Sequence, residues 1–197
     1  MIWTLATEDE LSETVGIRLL QENGITPFQC LRRGGYGYLR AGMDKWKALA
    51  KRQAVVVLTD LDRLACPVAL RTDWFQNEVL PAQLCFRIAV REVEAWFLAD
   101  HDAMDSLYGK KFKLPALPES LPDPKLKLLQ LAVRASRDIK HDLVRIEGEK
   151  LLQGLGYNTR LCQLAKTIWD PDRAATRSPS LLQARRRISE LVARVRG

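Results

Sequence analysis

Runs of apolar residues alternate with amphipathic segments along the first half of the chain. The strongest run is aliphatic and β-branched without alternation, which is typical of a strand buried on both faces of a parallel sheet. Four runs predict strands, at residues 2–6, 27–32, 54–59 and 84–90. Between them, helical spacing of apolar residues predicts helices, and Thr7 and Glu10 have the spacing of a capping box before the first helix. The pattern favours an α/β domain over residues 1–108, a mainly parallel sheet flanked by helices.

The pattern changes after the predicted sheet. Residues 109–124 contain four prolines and predict a largely irregular linker, because proline lacks a backbone donor and fixes φ. Residues 125–197 are expected to form a C-terminal helical extension. Helices are predicted at 126–135 and 158–169, and a last one begins after Ser178 as its N-cap.

Composition narrows the class of protein. A chain of 197 residues with 47% hydrophobic content can bury one substantial core. No apolar stretch approaches the ~20 residues of a membrane span, and the first residues lack the pattern of a signal peptide. A cytoplasmic protein with no membrane partner is therefore expected. The four cysteines have no paired spacing, which predicts reduced thiols and no zinc site of the usual kind.

The charge is unevenly distributed. The net charge of +7 divides into −1 for residues 1–100 and +8 for residues 101–197. A basic surface attracts polyanions, so nucleic acid is a candidate partner, although a basic balance can also serve solubility alone. The last helix carries the densest basic cluster, at Arg185, Arg186, Arg187, Arg194 and Arg196.

Acidic residues follow three of the predicted strands. Glu8 comes after the first, Asp60 and Asp62 after the strongest, and Glu92 and Glu94 after the last. The carboxyl ends of parallel strands meet at one edge, so these groups should converge. Clustered carboxylates repel one another unless a cation neutralises them, which predicts Mg²⁺ or Mn²⁺. The alternatives are that Asp60 caps a helix, that Asp62 is solvated, and that Glu92 and Glu94 compensate a helix dipole.

This arrangement resembles the Toprim fold of topoisomerases, bacterial primases and the overcoming-lysogenization-defect nucleases. Glu8 matches the glutamate after the first strand, and Asp60 and Asp62 match the Asp-x-Asp motif. Asp9 stands where the wider pattern has glycine. A closer resemblance, to small Toprim-like proteins often encoded beside an ATPase, rests on four segments. They are residues 7–13, 57–62, 91–100 and 157–180.

The resemblance implies a divalent-metal-dependent nuclease that acts on DNA or RNA. Asp60 and Asp62 would be metal ligands, Glu8 a ligand or general base, and Glu94, with Glu92, would complete the site. It also implies an ABC-type or related ATPase partner and a role in anti-phage defence. The alternative function is a non-catalytic or weakly catalytic subunit that docks the ATPase. The oligomeric state and the choice between DNA and RNA stay open.

Overall fold

A four-stranded parallel sheet organises the first half of the chain in the computed structural model. The structure describes residues 1–32, 34–76, 78–109 and 112–197. The strands are β1 (Trp3–Thr7), β2 (Gln29–Arg32), β3 (Ala54–Asp60) and β4 (Leu84–Ala89). Their spatial order is β2-β1-β3-β4, with Val56 of β3 opposite both Leu5 and Cys85. The mainly parallel α/β sheet predicted from the sequence is confirmed.

Helices cover both faces of this sheet. They are α1 (Glu10–Gln21), α2 (Gly35–Ala41), α3 (Met43–Leu49), α4 (Pro67–Phe75), α5 (Val93–Ala99) and α6 (His101–Tyr108). Val56 and Leu58 of β3 pack into a cluster with α1 and α5, whereas Val55 and Val57 pack on the opposite face with α2, α3 and α4. This double burial explains why β3 is apolar at successive positions rather than at alternate ones.

The predicted capping box at the first helix is wrong. Thr7 is the last residue of β1, and the N-cap of α1 is Asp9, whose Oδ1 accepts a hydrogen bond from the Ser12 backbone N–H at 2.8 Å. Asp9 occupies the position at which the wider Toprim pattern has glycine, and it has extended backbone angles there. A carboxylate that caps a helix start is stabilised by the orphan N–H groups of the first turn.

The second half of the chain combines helices with a hairpin. The linker prediction includes Lys110 and Lys111, which lie outside the described residues. Residues 112–117 have no helix or strand, and a single 3₁₀ turn follows at Pro118–Ser120. The remaining elements are α7 (Pro124–Val133), α8 (Arg137–Leu143), β5 (Val144–Glu147), β6 (Lys150–Gln153), α9 (Tyr157–Thr167), α10 (Pro171–Ala175) and α11 (Pro179–Arg196). Ser178 caps α11 through the Leu181 N–H, as predicted.

The expectation that the extension is wholly helical is wrong at β5 and β6. These strands pair antiparallel, with Val144 opposite Gln153, and Gly148 adopts a left-handed φ of 59° in the turn between them. The sequence carries the signal for this hairpin, because apolar Val144 and Ile146 alternate with Arg145 and a glycine follows two residues later.

The extension shares its core with the sheet domain. One hydrophobic cluster contains residues of β1, β3, α5, α7, α9 and α11 together. Trp169 is fully buried in it and donates its indole N–H to the Trp96 carbonyl at 3.1 Å. Trp96 in turn donates to Ser180 Oγ at 2.8 Å. Across the described ranges, no helix is long and apolar enough to cross a membrane.

Gly154 fixes the return from β6 toward α9, and we expect Gly154→Ala to destabilise the protein. A Cβ there would clash with the Asp142 carbonyl oxygen and lie 2.9 Å from the Val144 nitrogen. Both obstacles are backbone atoms, so the free energy of unfolding should fall by about 1–3 kcal/mol in urea titrations. Gly37→Ala is the control, because open space surrounds Gly37 within α2. The free energy of unfolding of that variant should stay the same or rise by up to about 1 kcal/mol. An equal loss of stability in both variants would contradict the clash.

Candidate functional site

Four carboxylates converge at the carboxyl edge of the sheet. Glu8 follows β1 directly and Asp60 is the last residue of β3. Glu92 is the N-cap residue of α5 and Glu94 lies in its first turn, just beyond β4. The topology brings them together because β3 lies between β1 and β4. We refer to Glu8, Asp60, Glu92 and Glu94 as the carboxylate cluster.

Glu8 is held against the end of β3. Its Oε1 accepts hydrogen bonds from the Thr59 hydroxyl and, at 3.0 Å, from the Asp60 backbone N–H. Burial raises the pKa of Glu8, the two hydrogen bonds lower it, and nearby Asp62 and Asp9 raise it. The net direction is upward, so this carboxyl holds its proton more tightly than a solvated glutamate does.

Asp60 and Glu94 are the two most buried acids of the cluster. Asp60 is 9% exposed, and its Oδ1 accepts a hydrogen bond from the Val93 N–H at the start of α5 at 3.1 Å. Burial raises the pKa of Asp60 well above its ordinary value, and repulsion from Glu94 and then Glu8 adds to the shift. Asp60 therefore lies between two other carboxylates, and its charged form is unfavourable unless a cation is present.

Glu94 has one oxygen satisfied and one without a partner. The side chain is 2% exposed, and Oε1 accepts a hydrogen bond from the Tyr157 hydroxyl at 2.9 Å. Oε2 is buried and has no hydrogen-bond partner among the described residues. Burial raises the pKa of Glu94 to about 7, and Glu92 raises it while Lys125 lowers it. A buried carboxylate oxygen without a donor is a candidate ligand atom.

Lys125 supplies positive charge to the cluster. Its Nζ lies 3.5 Å from Glu94 Oε1 and 3.6 Å from Glu92 Oε1, and its backbone N–H donates to Glu92 Oε2 at 3.0 Å. Burial lowers the pKa of Lys125, but Glu94 and Glu92 outweigh that and raise it. Sequence reasoning missed Lys125 and the hydroxyl of Tyr157, because both come from the extension and no local pattern connects them with the acids.

The side chain of Asp62 does not join that of Asp60 in the carboxylate cluster. β3 ends at Asp60, and Asp62 takes a left-handed φ of 51° and is exposed. Its N–H donates to the Arg91 carbonyl at 2.8 Å, and Arg91 Nη1 donates back to the Asp62 carbonyl at 3.1 Å. Asp62 was expected to converge with the other acids, but it lies outside the cluster because the strand geometry does not continue beyond Asp60.

Asp62 instead lines an open cleft of about 630 Å³ beside the cluster. Glu92 lies at the boundary between this cleft and the carboxylate cluster. The first turn of α2 contributes Tyr36, whose hydroxyl accepts a hydrogen bond from the Trp74 indole at 3.0 Å. The cleft is lined by Tyr36, Leu61, Asp62, Arg63, Leu64, Arg91, Glu92, Pro122 and Asp123.

The chemistry of the cluster fits a hard divalent ion. All its donors are carboxylate oxygens, which Mg²⁺ and Mn²⁺ prefer, and the unpartnered Glu94 Oε2 is available to a ligand. Within the part of the chain that the structure describes, however, no group of three or more acidic, histidine or cysteine side chains is arranged to hold a metal ion. In this arrangement the ammonium of Lys125 is the cation that Glu92 and Glu94 contact.

A sequence family described as a domain of unknown function, DUF4276, matches residues 6–146, well over half of the chain. The chain belongs to this family. The DUF4276 segment runs from β1 to β5 and so contains the whole carboxylate cluster, Asp62 and Lys125. Tyr157 and the helices α9, α10 and α11 lie beyond it. No curated protein and no solved structure matches the chain.

Proposed function

We propose that the protein is a divalent-metal-dependent nuclease that hydrolyses phosphodiester bonds at the carboxylate cluster. The observation that carries the proposal is the unpartnered, buried Oε2 of Glu94 beside Asp60. Burial raises the pKa of both acids, and repulsion from Glu94 raises that of Asp60 further. A divalent cation would relieve that repulsion and complete the coordination of Glu94. The resemblance of Glu8, Asp60 and Asp62 to the Toprim motifs gives the same reaction class.

Asp60 and Glu94 would hold Mg²⁺ or Mn²⁺, with Glu92 and Asp62 on the side of the open cleft. A bound ion would stabilise charge on a phosphodiester and lower the pKa of attacking water. Glu8 is the general base in this proposal. Its Oε1 is fixed by Thr59 and Asp60, while its Oε2 has no hydrogen bond to a described residue and a raised pKa favours proton uptake.

The cleft beside the cluster is the proposed path of the substrate. Tyr36 offers an aromatic ring on which a base can stack, and Arg63 is exposed and can contact a phosphate. These contacts suit single-stranded DNA and RNA equally. Substrates of both kinds therefore belong in the test.

The resemblance to small Toprim-like proteins carries two further proposals. The first is that the protein works with an ABC-type or related ATPase subunit, and the second is that the pair acts in anti-phage defence in the cytoplasm. A purified chain that cleaves only when such an ATPase is added would support the first.

A second candidate function is a regulatory subunit without nuclease activity, and the contacts of Lys125 favour it. An ammonium that permanently neutralises Glu92 and Glu94 would make the cluster structural, and the extension would then serve to dock the ATPase. The discriminating experiment is cleavage of labelled DNA and RNA by the purified chain in Mg²⁺, Mn²⁺ or EDTA, with and without the partner. Cleavage that EDTA abolishes supports the nuclease, and inactivity under every condition supports the regulatory subunit.

Lys125→Met is expected to strengthen Mn²⁺ binding to the carboxylate cluster, because the ammonium competes for the same oxygens. We expect a gain of about tenfold in affinity, or ~1.4 kcal/mol, by isothermal titration calorimetry. The titration belongs near pH ~8.5, above the pKa of about 7 of Glu94 in the wild type, because loss of the Lys125 charge raises that pKa and makes protons compete with Mn²⁺ at lower pH. Lys127→Met is the control on the same helix and should bind Mn²⁺ like the wild type. Unchanged or weaker binding in Lys125→Met would show that Lys125 does not compete with the ion.

A further inference from the structure

A second cleft, of about 790 Å³, lies along the free edge of β4. α11 forms one wall, the segment before β4 forms the other, and α4 contributes Arg71. The cleft is lined by the first residues of β4, whereas the carboxylate cluster lies beyond the last residue of that strand. The two sites are therefore at different ends of the same strand.

Arg87 lies at the base of this cleft with an unsatisfied guanidinium. Cys85 and Arg87 alternate with Leu84, Phe86 and Ile88, which pack on the opposite face of the sheet. The Nε atom of Arg87 is buried and has no hydrogen-bond partner among the described residues. A buried donor without an acceptor is costly, and more so on a charged group. An anion in the cleft would remove that cost.

The charge around Arg87 is predominantly positive. Arg71, Arg187 and Arg194 line the same cleft, and the acids among its lining residues are Glu78 and Glu190. Both acids have other partners. Glu78 accepts from Lys47 at 2.7 Å, and Glu190 accepts from Arg186 and Arg187, each at 2.8 Å.

Arg71, Arg87 and Arg194 are the uncompensated cations of the cleft. None of the three forms an ion pair with a residue that the structure describes, and Arg194 donates a hydrogen bond to the Ala82 carbonyl. Burial lowers the pKa of Arg87, and repulsion from Arg187 and Arg71 acts in the same direction. The arginines of α11, which form the densest basic cluster in the sequence, differ in role, since Arg185 is bound to Glu22 and Asp172 on another side of the helix.

We propose that this cleft is a phosphate-binding site in which Arg87 is the central ligand and Arg71 a second contact. The planar guanidinium donates two parallel hydrogen bonds to phosphate oxygens, a geometry that a lysine cannot reproduce. The phosphate belongs either to the backbone of a nucleic acid or to a small molecule such as a nucleotide. The inference goes beyond the proposed nuclease and holds whether or not the carboxylate cluster cleaves.

The test is binding by the full chain in EDTA, where divalent-ion-dependent cleavage is absent. The probe is a fluorescein-labelled single-stranded oligonucleotide, whose binding is measured by fluorescence anisotropy. Inorganic phosphate and a nucleoside monophosphate are added as competitors. Arg87→Met should weaken oligonucleotide binding about tenfold and reduce the slope of log affinity against log salt by about 0.7. Arg71→Ala should weaken binding about threefold without affecting the melting temperature, because Arg71 is exposed and unpaired.

Arg145→Ala is the matched control. Arg145 is an exposed arginine of the hairpin, paired with Glu147, and lies outside the cleft. That variant should bind within twofold of the wild type, whereas Arg87→Lys should bind more weakly than the wild type and more tightly than Arg87→Met, because it keeps the charge but loses the paired hydrogen bonds. If the nucleoside monophosphate displaces the oligonucleotide with a similar affinity, and does so only when Arg87 is present, the ligand is a small-molecule phosphate. If it does not compete, the ligand is the nucleic-acid backbone. Wild-type affinity in both Arg71→Ala and Arg87→Met, or no binding of any probe to the wild type, overturns the proposal.

Discussion

Asp60→Asn should reduce the proposed divalent-ion-dependent cleavage by at least about 100-fold, because it removes a charge that would hold the ion. Asparagine keeps the shape of the side chain and can still accept the Val93 N–H, so the start of α5 should be preserved. Asp62→Asn should lose less activity, since Asp62 is exposed in a left-handed turn outside the cluster. Initial rates of cleavage of labelled DNA and RNA measure the activity of both variants. A wild type that cleaves and an Asp60→Asn variant that cleaves equally well would refute the site.

The stability of the metal-free protein provides an independent readout for the same variant. The pKa of Asp60 is raised in the folded state, so folding favours its protonated form. Below the unfolded value of about 4, Asp60 is protonated in both states and the shift has no effect. As the pH rises from there toward the raised folded pKa, the wild type loses stability that Asp60→Asn retains. In EDTA at neutral pH the variant should therefore unfold at an equal or higher urea concentration than the wild type.

The fold was predictable where one strong local pattern decides the structure. The aliphatic run of β3 and the weaker runs of the other strands predicted the parallel sheet, because a strand buried on both faces has few alternatives. The prediction failed where two local signals compete. Thr7 is of a residue type that is favoured at the N-cap position, but it belongs to β1, and Asp9 caps α1 instead. The hairpin at Gly148 was missed because strongly helical segments flank it on both sides.

The candidate site was predictable only as far as topology determines it. Glu8, Asp60 and Glu94 converge because each follows a strand of one parallel sheet, and that rule is independent of side-chain detail. Lys125 and Tyr157 reach the same place through tertiary packing of the extension, about which local sequence patterns carry no information. Burial raises the pKa of Glu94, and Lys125 and Tyr157 lower it, so the charge state of the site could not be inferred from the sequence.

Arg173→Ala should produce a large loss of stability for a side chain that is partly exposed. Asp100 is fully buried, and Arg173 donates to it through Nε and Nη2, each at 2.9 Å. Removing Arg173 leaves a buried carboxylate without its counter-charge, which costs several kcal/mol in a dry interior. Arg173 is 38% exposed and the Asp170 and Ala103 N–H groups still donate to Asp100, so about 2–3 kcal/mol is expected from urea unfolding.

The size of this loss tests whether the extension is an integral part of the fold. Asp100 joins α5 to α6, and Arg173 belongs to α10, so the pair connects the sheet domain to the extension. Arg40→Ala is the matched control, because Arg40 and Asp73 form a 2.8 Å ion pair that is about half exposed and should contribute less than about 1 kcal/mol. Arg173→Lys should fall between the two, since it keeps the charge but loses the paired hydrogen bonds. If Arg173→Ala unfolds no more easily than Arg40→Ala, water replaces the guanidinium at Asp100, and this ion pair is not needed to hold the extension to the sheet.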